Sequence, residues 1–215
     1  MRLAMFPLGA VLLPGEVLPL QVFEPRFRRL VLDCLAADAP QFGTVMIERG
    51  SEVGGGDERA STGTRALIRL LEPLGGGRFK LQAVGVRRIS VLEWLPEDPY
   101  PVADVEDWPD VLPGEDDAEA VAARLAQLRE QVDRIRTLLL ALAPRGRRRL
   151  AQPLALNDDP VVAAYQLAAA VGLGPADRFH VLQAPTFANR LDVLAAALDD
   201  HEAAVRFRVG SGSQE

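Results

Sequence analysis

Apolar and polar residues follow two different periods in the two halves of this chain. In the first half, short stretches alternate with a period of two, as residues 78–83 do. This alternation predicts β-strands that bury one face. In the second half, apolar residues recur every three or four positions, which predicts helices. The pattern therefore indicates an α+β chain in which the strands come first.

The opening segment, residues 6–27, contains four prolines and two glycines among apolar residues. Each proline lacks a backbone donor and pushes the residue before it toward extended geometry, so one continuous helix is excluded. We predict strands at residues 3–6 and 17–23 around a Pro14-Gly15 turn. A helix over residues 26–37 follows, with Pro25 in its first turn, where a missing N–H is harmless.

Further strands are predicted at residues 42–47, at residues 64–70 and from residue 78 onward. Residues 50–61 are rich in glycine and charge, which favours an exposed mobile loop. Three consecutive glycines, 75–77, close a hairpin between the last two strands. The inward-facing positions change parity near Gly85, so we expect a bulge or bend there that curls the sheet into a small barrel.

An acidic, proline-containing stretch from residue 108 to 119 marks the end of the β part. Apolar residues then form one seam along a long helix: Val121, Leu125, Leu128, Val132, Ile135, Leu139 and Leu142. The seam fits either packing within the chain or a coiled coil between copies, which would give a homo-oligomer. We favour packing within the chain, because three heptads are short for an independent coiled coil.

Three further helices are predicted from Asp159-Pro160, Gly174-Pro175 and Thr186, because caps and first-turn prolines mark helix starts. We therefore divide the chain into a β-barrel domain with one main helix (1–108), a helical bundle (116–205) and a flexible tail (206–215).

The opening motif FPLxxxxLPGxxLPLxxFEPR resembles the start of the Lon substrate-binding domain, the N-terminal module of the ATP-dependent Lon proteases. Three later blocks, within residues 42–54, 62–68 and 77–100, agree in order. The resemblance implies a PUA-like barrel followed by helices, in a free-standing member without ATPase or peptidase domains. It also implies a non-catalytic module that binds unfolded polypeptide segments or a protein partner.

Residues for catalysis are missing from the sequence. Lys80 is the only lysine, and it lies inside a predicted strand, so neither a phosphate-binding loop nor a serine–lysine pair can be built. His180, His201 and the single Cys34 lack companions at ligand spacing. We expect no catalytic residue, no metal and no cofactor. A small enzyme that uses scattered carboxylates is a third alternative that no spacing supports.

The candidate binding site is the Glu24-Pro25-Arg26 triplet, which lies between Phe23 and Phe27. In a structural interpretation, Glu24 anchors the start of the helix. In a functional one, the two phenylalanines and the Pro99-Tyr100 pair line a shallow apolar groove with the charges at its rim.

Arg145, Arg147, Arg148 and Arg149 form the densest charge run and offer an alternative site for an acidic partner or RNA. The net charge of −6 makes nucleic acid the less favoured partner. No signal-peptide pattern and no apolar run of about 18 residues occur, so we expect a cytoplasmic protein that spans no membrane.

Overall fold

The structure, a computed structural model, describes residues 1–50, 56–112, 114, 117–142 and 150–212. Two compact units divide the chain, Met1–Pro109 and Asp110–Glu215. The first unit contains β1 (Arg2–Leu8), β2 (Val17–Val22), α1 (Pro25–Ala36), β3 (Gln41–Arg49), β4 (Glu58–Gly75), β5 (Arg78–Leu95) and β6 (Val102–Asp107). The second contains α2 (Ala118–Leu142), α3 (Pro160–Ala169), α4 (Pro175–Gln183) and α5 (Phe187–Gly212).

The six strands form one sheet in the order β2-β5-β4-β3-β1-β6. β1 and β3 are parallel, and every other pair of neighbours is antiparallel. The long β5 has two partners besides β4, since residues 79–84 pair with β2 and residues 89–95 pair with β6. The sheet is therefore barrel-like without being a closed barrel, and the predicted α+β fold class is confirmed.

Two glycines allow the sheet to curl. A Cβ at Gly85 would overlap the carbonyl oxygen of Leu13, and one at Gly63 would overlap that of Thr44. Gly85 also accepts a hydrogen bond from Gly15 N at 2.8 Å and donates one to Glu16 O at 3.0 Å. The ladder between β4 and β5 shifts register beside Gly85, after Arg65, as expected for a bulge at the predicted bend.

The core of the first unit forms where α1 covers one face of the sheet. Phe27 from α1 stacks on Phe6 from β1 with ring centroids 4.0 Å apart, and Phe42 lies beside them. Offset-stacked rings contribute about 1 kcal/mol beyond the area that they bury. A second cluster, which includes Met5, Ile89 and Val105, packs between β1, β5 and β6.

In the second unit the apolar seam of α2 packs within the chain. Leu128, Val132 and Ile135 are fully buried, whereas Val121 and Leu125 at the start of the helix are only half-buried. This confirms the preference for packing within the chain. The side chain of Asp159 caps α3 by accepting a hydrogen bond from Val161 N at 2.8 Å, as its position before Pro160 predicted.

A buried arginine, Arg190, bonds to residues that are distant in the sequence of the second unit. Arg190 on α5 is inaccessible to solvent, and its Nη2 lies 2.6 Å from Oδ1 of Asp110. Its Nε donates to the carbonyl of Val181, and its guanidinium lies 4.4 Å from the centre of the Tyr165 ring. Losing one partner of such a buried pair costs about 3–5 kcal/mol, so the pair constrains the start of this unit.

Several predicted limits were wrong. β4 begins at Glu58, inside the predicted loop, and β6 was not predicted. α5 continues to Gly212, so residues 206–212 of the predicted flexible tail are helical. Residues 51–55 of the predicted loop lie outside the described residues.

The contacts of two glycines predict different costs of adding a methyl group. We expect Gly85→Ala to lower the free energy of unfolding by about 3 kcal/mol, because a backbone carbonyl must move. Gly43→Ala should cost about 1 kcal/mol, since the side-chain end of Met5 can turn aside. Urea unfolding followed by circular dichroism measures both. Equal losses would contradict the close backbone approach at Gly85.

Candidate functional site

The Glu24-Pro25-Arg26 triplet forms the junction between β2 and α1. Pro25 is the first residue of the helix, and Glu24 precedes it in extended geometry. The Glu24 side chain makes no cap hydrogen bond and instead accepts one from Nε of Arg26 at 3.1 Å. The Arg26 guanidinium also lies over the ring of Phe27, 4.5 Å from its centre. The two charges of the triplet therefore neutralise each other, with less than a fifth of either side chain exposed.

This ion pair is one end of a larger set, which we call the charged network: Glu24, Arg26, Asp57, Arg59 and Glu97. Glu97 connects its two halves, since one carboxylate oxygen lies 4.0 Å from Nη1 of Arg26 and the other bonds to Arg59. Arg59 also donates two hydrogen bonds to Asp57. The network thus joins the start of α1 to β4 and to the segment after β5.

The Asp57–Arg59 pair is the most buried part of the charged network. The side chains of Asp57 and Arg59 are 3% and 8% exposed. Hydrogen bonds from Arg59 hold the pKa of Asp57 below its ordinary value, although burial acts in the opposite direction. The Arg59 guanidinium lies 4.7 Å from the ring centre of Trp94, within the distance of a cation–π contact.

A cleft of about 420 Å³ opens beside this pair. The residues that line it are Gly56, Asp57, Glu58, Arg59, Trp94 and Glu97. None of these described residues is a serine, cysteine, histidine or lysine, so the cleft offers no nucleophile with an adjacent base. Two of its carboxylates, those of Asp57 and Glu97, pair with Arg59. We therefore interpret the cleft as part of the charged network.

Tyr100 contacts the C-terminal half of α1, the helix that begins at the triplet. Its hydroxyl donates to Oδ2 of Asp33 at 2.9 Å, and Arg29 pairs with the same carboxylate. Burial, together with the hydrogen bond to Asp33, raises the pKa of Tyr100 to about 12. The phenol therefore stays neutral and keeps donating to Asp33 well above physiological pH.

The predicted groove residues thus divide into two groups. Phe27 is buried in the core, and the polar groups of Glu24, Arg26 and Tyr100 are bonded to one another or to neighbours. Phe23, Pro25 and Pro99 are exposed. The charged groups of the triplet are thus bonded within the protein, whereas Phe23, Pro25 and Pro99 present exposed side chains.

Four residues of this region were not predicted from the sequence: Asp57, Arg59, Trp94 and Glu97. Two of them lie in or next to the stretch that we assigned to a mobile loop, and Arg59 and Glu97 are 38 positions apart. One signal was present: Ala60 and Thr62 extend the inward alternation of β4 back toward Glu58.

A second surface is more apolar than strands facing water usually are. It is the side of β2, β5 and β4 that faces away from α1, and we call it the outer face. Its apolar members are Val17, Pro19, Phe23, Leu67, Leu70, Leu74 and Val84.

The exposure of this face is large at its rim. Val17 and Phe23 are 54% and 55% exposed, and Leu70 and Leu74 are 41% and 45% exposed. Val17 lies opposite Val84, which in turn lies opposite Leu67, so three strands contribute one apolar row. β2 is the last strand of the sheet at this side, and Pro19 fits there because an edge strand leaves alternate N–H positions unpaired.

Charged residues share the outer face with the apolar ones, mostly toward the β4–β5 hairpin end. Arg69, Arg78 and Lys80 are exposed there, and Glu72 lies 3.6 Å from the Lys80 ammonium. Phe79 lies opposite Val22, and both side chains face the core. Their neighbours along the two strands, Arg78 and Phe23, therefore share the outer side.

Other candidate chemistry gains no support. Arg145, Arg147, Arg148 and Arg149 lie outside the described residues. Across the described ranges, no group of three or more histidine, cysteine or acidic side chains could hold a metal ion. No helix in the described part of the chain is long and apolar enough to cross a membrane.

Comparison with known proteins gives a family for the chain. The model of the ATP-dependent protease La (LON) substrate-binding domain matches residues 2–200. Lon protease 1 of Herpetosiphon aurantiacus is 24% identical over 194 residues, which are 88% of this chain and 23% of that protein. Lon protease of Anaeromyxobacter dehalogenans is 32% identical over 126 residues, 58% of this chain and 15% of that protein. The chain therefore spans less than a quarter of the length of these relatives.

Two solved structures are similar over nearly the whole chain. The Lon N-terminal domain protein from Xanthomonas campestris has a TM-score of 0.60 and 26% identity, covering 91% of this chain and 98% of that one. The N-terminal domain of the Mycobacterium avium complex Lon protease has a TM-score of 0.63 and 19% identity, covering 94% and 100%. The second likeness shows the fold alone.

Substituting Arg59 tests the charged network. We expect Arg59→Met to lower the free energy of unfolding by about 2–3 kcal/mol, because Asp57 is left buried without a partner. The loss should shrink as the pH is lowered toward about 4, since protonation removes that unpaired charge. Urea unfolding at several pH values measures both effects.

Arg49→Met is the matched control, because Arg49 pairs with Glu58 at 3.8 Å with both side chains mostly exposed. Its cost should stay below about 0.5 kcal/mol. Equal losses in the two variants would show that Arg59 contributes no more than a surface pair.

Proposed function

The chain belongs to the substrate-binding domain family of ATP-dependent protease La (LON), and from this premise we propose that it is a non-catalytic module that binds unfolded polypeptide segments or a protein partner. The observation that carries the proposal is the outer face, where large apolar side chains stay exposed on adjacent strands. Contiguous apolar surface on a folded protein is typical of interaction sites.

An unfolded segment suits this face for a physical reason. A folded protein buries most of its large apolar side chains, whereas an unfolded segment presents them to water. Covering Val17, Phe23 and Leu70 removes apolar area from water on both partners at about 25 cal/mol per Å². Because this contribution does not depend on charge, binding should persist at high salt.

The residues predicted from the sequence take different parts in this proposal. Phe23 contributes directly, as an exposed ring at the end of β2, and Pro25 and Pro99 are exposed as well. Glu24, Arg26 and Tyr100 hold α1 and the neighbouring segments in place, and Phe27 anchors the helix from the core.

The absence of catalysis is part of the proposal. Lys80, the single lysine of the sequence, pairs with Glu72 on the β4–β5 hairpin. Ser90 lies opposite Thr62 on the same hairpin, ten residues further along β5. Neither is placed for nucleophilic attack, and the comparison with the family model extends over a substrate-binding domain only.

Peptide binding tests the proposal. The probe is a fluorescein-labelled peptide of roughly 15 residues, long enough to cross the face, with Leu, Phe and Val alternating with Gln. We expect saturable binding in fluorescence anisotropy. The binding should survive about 0.5 M salt, at which the Debye length is much shorter than in dilute buffer. The triple variant Val17→Ser, Phe23→Ser, Leu70→Ser should weaken it at least about tenfold, at roughly 1 kcal/mol per side chain.

The matched control removes equally exposed apolar side chains elsewhere: Leu32→Ser, Leu92→Ser and Phe207→Ser, which are 52%, 60% and 75% exposed. This control should bind like the unmodified protein. Absence of binding, or equal weakening in both triple variants, would contradict the assignment of the outer face.

A further inference from the structure

We propose that the outer face selects polypeptide segments in which carboxylates lie beside an apolar stretch, a substrate class that rests on the proposed function. The face carries three cations, Arg69, Arg78 and Lys80, and one acid, Glu72. Its local charge is therefore three minus one, or +2, in a chain whose net charge is −6. Complementary charge on a partner would add to apolar contact on this face.

The cations are available to a partner. Within the described residues Arg69 and Arg78 make no ion pair. Lys80 and Glu72 are each about half-exposed, at 49% and 48%, and lie 3.6 Å apart. A surface pair of this kind contributes well under about 1 kcal/mol, so Lys80 can exchange Glu72 for a carboxylate of the partner.

The spacing of the face fits an extended chain. Along β5, Arg78, Lys80, Gln82 and Val84 point outward in succession. Alternate residues of a strand are about 6.6 Å apart, and an extended segment lying along β5 repeats its own side chains at the same distance. Only alternate residues of an extended segment face the sheet, so carboxylates two positions apart would lie near Arg78 and Lys80. Apolar residues at the next such positions would then lie over Pro19, Leu70 and Val17.

A third cation comes from an irregularity in the sheet. Ile68 lies opposite Ala83 and Leu70 lies opposite Gln82, so Arg69 is the extra residue of a bulge. A bulge turns its extra residue out of the ladder. Arg69 therefore reaches solvent directly beside Leu70, which places a cation next to the apolar residues of β4.

A polypeptide fits this arrangement better than a nucleic acid. Single-stranded nucleic acids bind on aromatic stacking platforms within a continuous basic groove. On the described outer face Phe23 is the only exposed aromatic ring, and the remaining apolar residues are aliphatic or proline. An excess of two charges would also neutralise few phosphates.

Three peptides with the same apolar stretch, and with Asp, Gln or Lys at two alternate positions beside it, test the proposal by fluorescence anisotropy. The full chain should bind the Asp peptide about tenfold more tightly than the Gln peptide in dilute buffer, and the Lys peptide more weakly than either. The preference should shrink toward zero in about 0.5 M salt, where the Debye length falls to a few ångströms. The negative net charge predicts the opposite order, so only local recognition explains a preference for Asp.

Variants separate local from global charge. Arg69→Gln, Arg78→Gln and Lys80→Gln together should abolish the preference and leave affinity for the Gln peptide within about twofold, since the apolar contacts remain. The control Arg124→Gln, Arg134→Gln, Arg208→Gln removes three exposed positive charges from the helical unit and should keep the preference.

The outcomes distinguish this proposal from the function on which it rests. If the Gln peptide binds and the three peptides have equal affinities, the acidic preference is overturned and the binding module stands. If no peptide binds, the proposed function itself fails. Displacement of the Asp peptide by an equal concentration of oligouridine would overturn the choice of a polypeptide partner.

Discussion

Close approach of backbone at Gly63 and Gly85 is the constraint on which the β unit depends. Both positions press against a carbonyl oxygen, of Thr44 and Leu13 respectively, with no room for a Cβ. This contact allows β5 to bend, so that its first part pairs with β2 and its last part with β6. The curl sends one side of the sheet to the core beneath α1. The other side, across β2, β5 and β4, is left facing solvent.

The charged network engages both charged residues of the most recognisable motif of the chain. Glu24 and Arg26 pair with each other, Glu97 links them to Arg59, and Arg59 compensates the buried Asp57. Phe27 is stacked on Phe6 below. These contacts hold the junction between β2 and α1, and the ring of Phe23 stays exposed at the end of β2. The motif thus supports the outer face and contributes one residue to it.

Local signals predicted much of this fold and little of its site. The Pro14-Gly15 turn, the cap at Asp159 and the parity change near Gly85 were visible because each depends on neighbours in sequence. β6 was missed because its alternation is short and acidic, and its partners in β1 and β5 are distant in the chain. The Arg59–Glu97 contact was invisible for the same reason. The exposed side of the hairpin was also hidden, since alternation alone does not tell which apolar residues stay in water.

The curled sheet leaves aliphatic residues and cations exposed on β2, β5 and β4, in a family defined by substrate binding. The most direct measurement is methyl NMR of the full chain labelled at leucine and valine, titrated with an unlabelled apolar peptide. The account predicts shifts concentrated at Val17, Leu67, Leu70 and Val84, with the methyl groups of α2 to α5 unchanged. Shifts confined to the helical unit would contradict it.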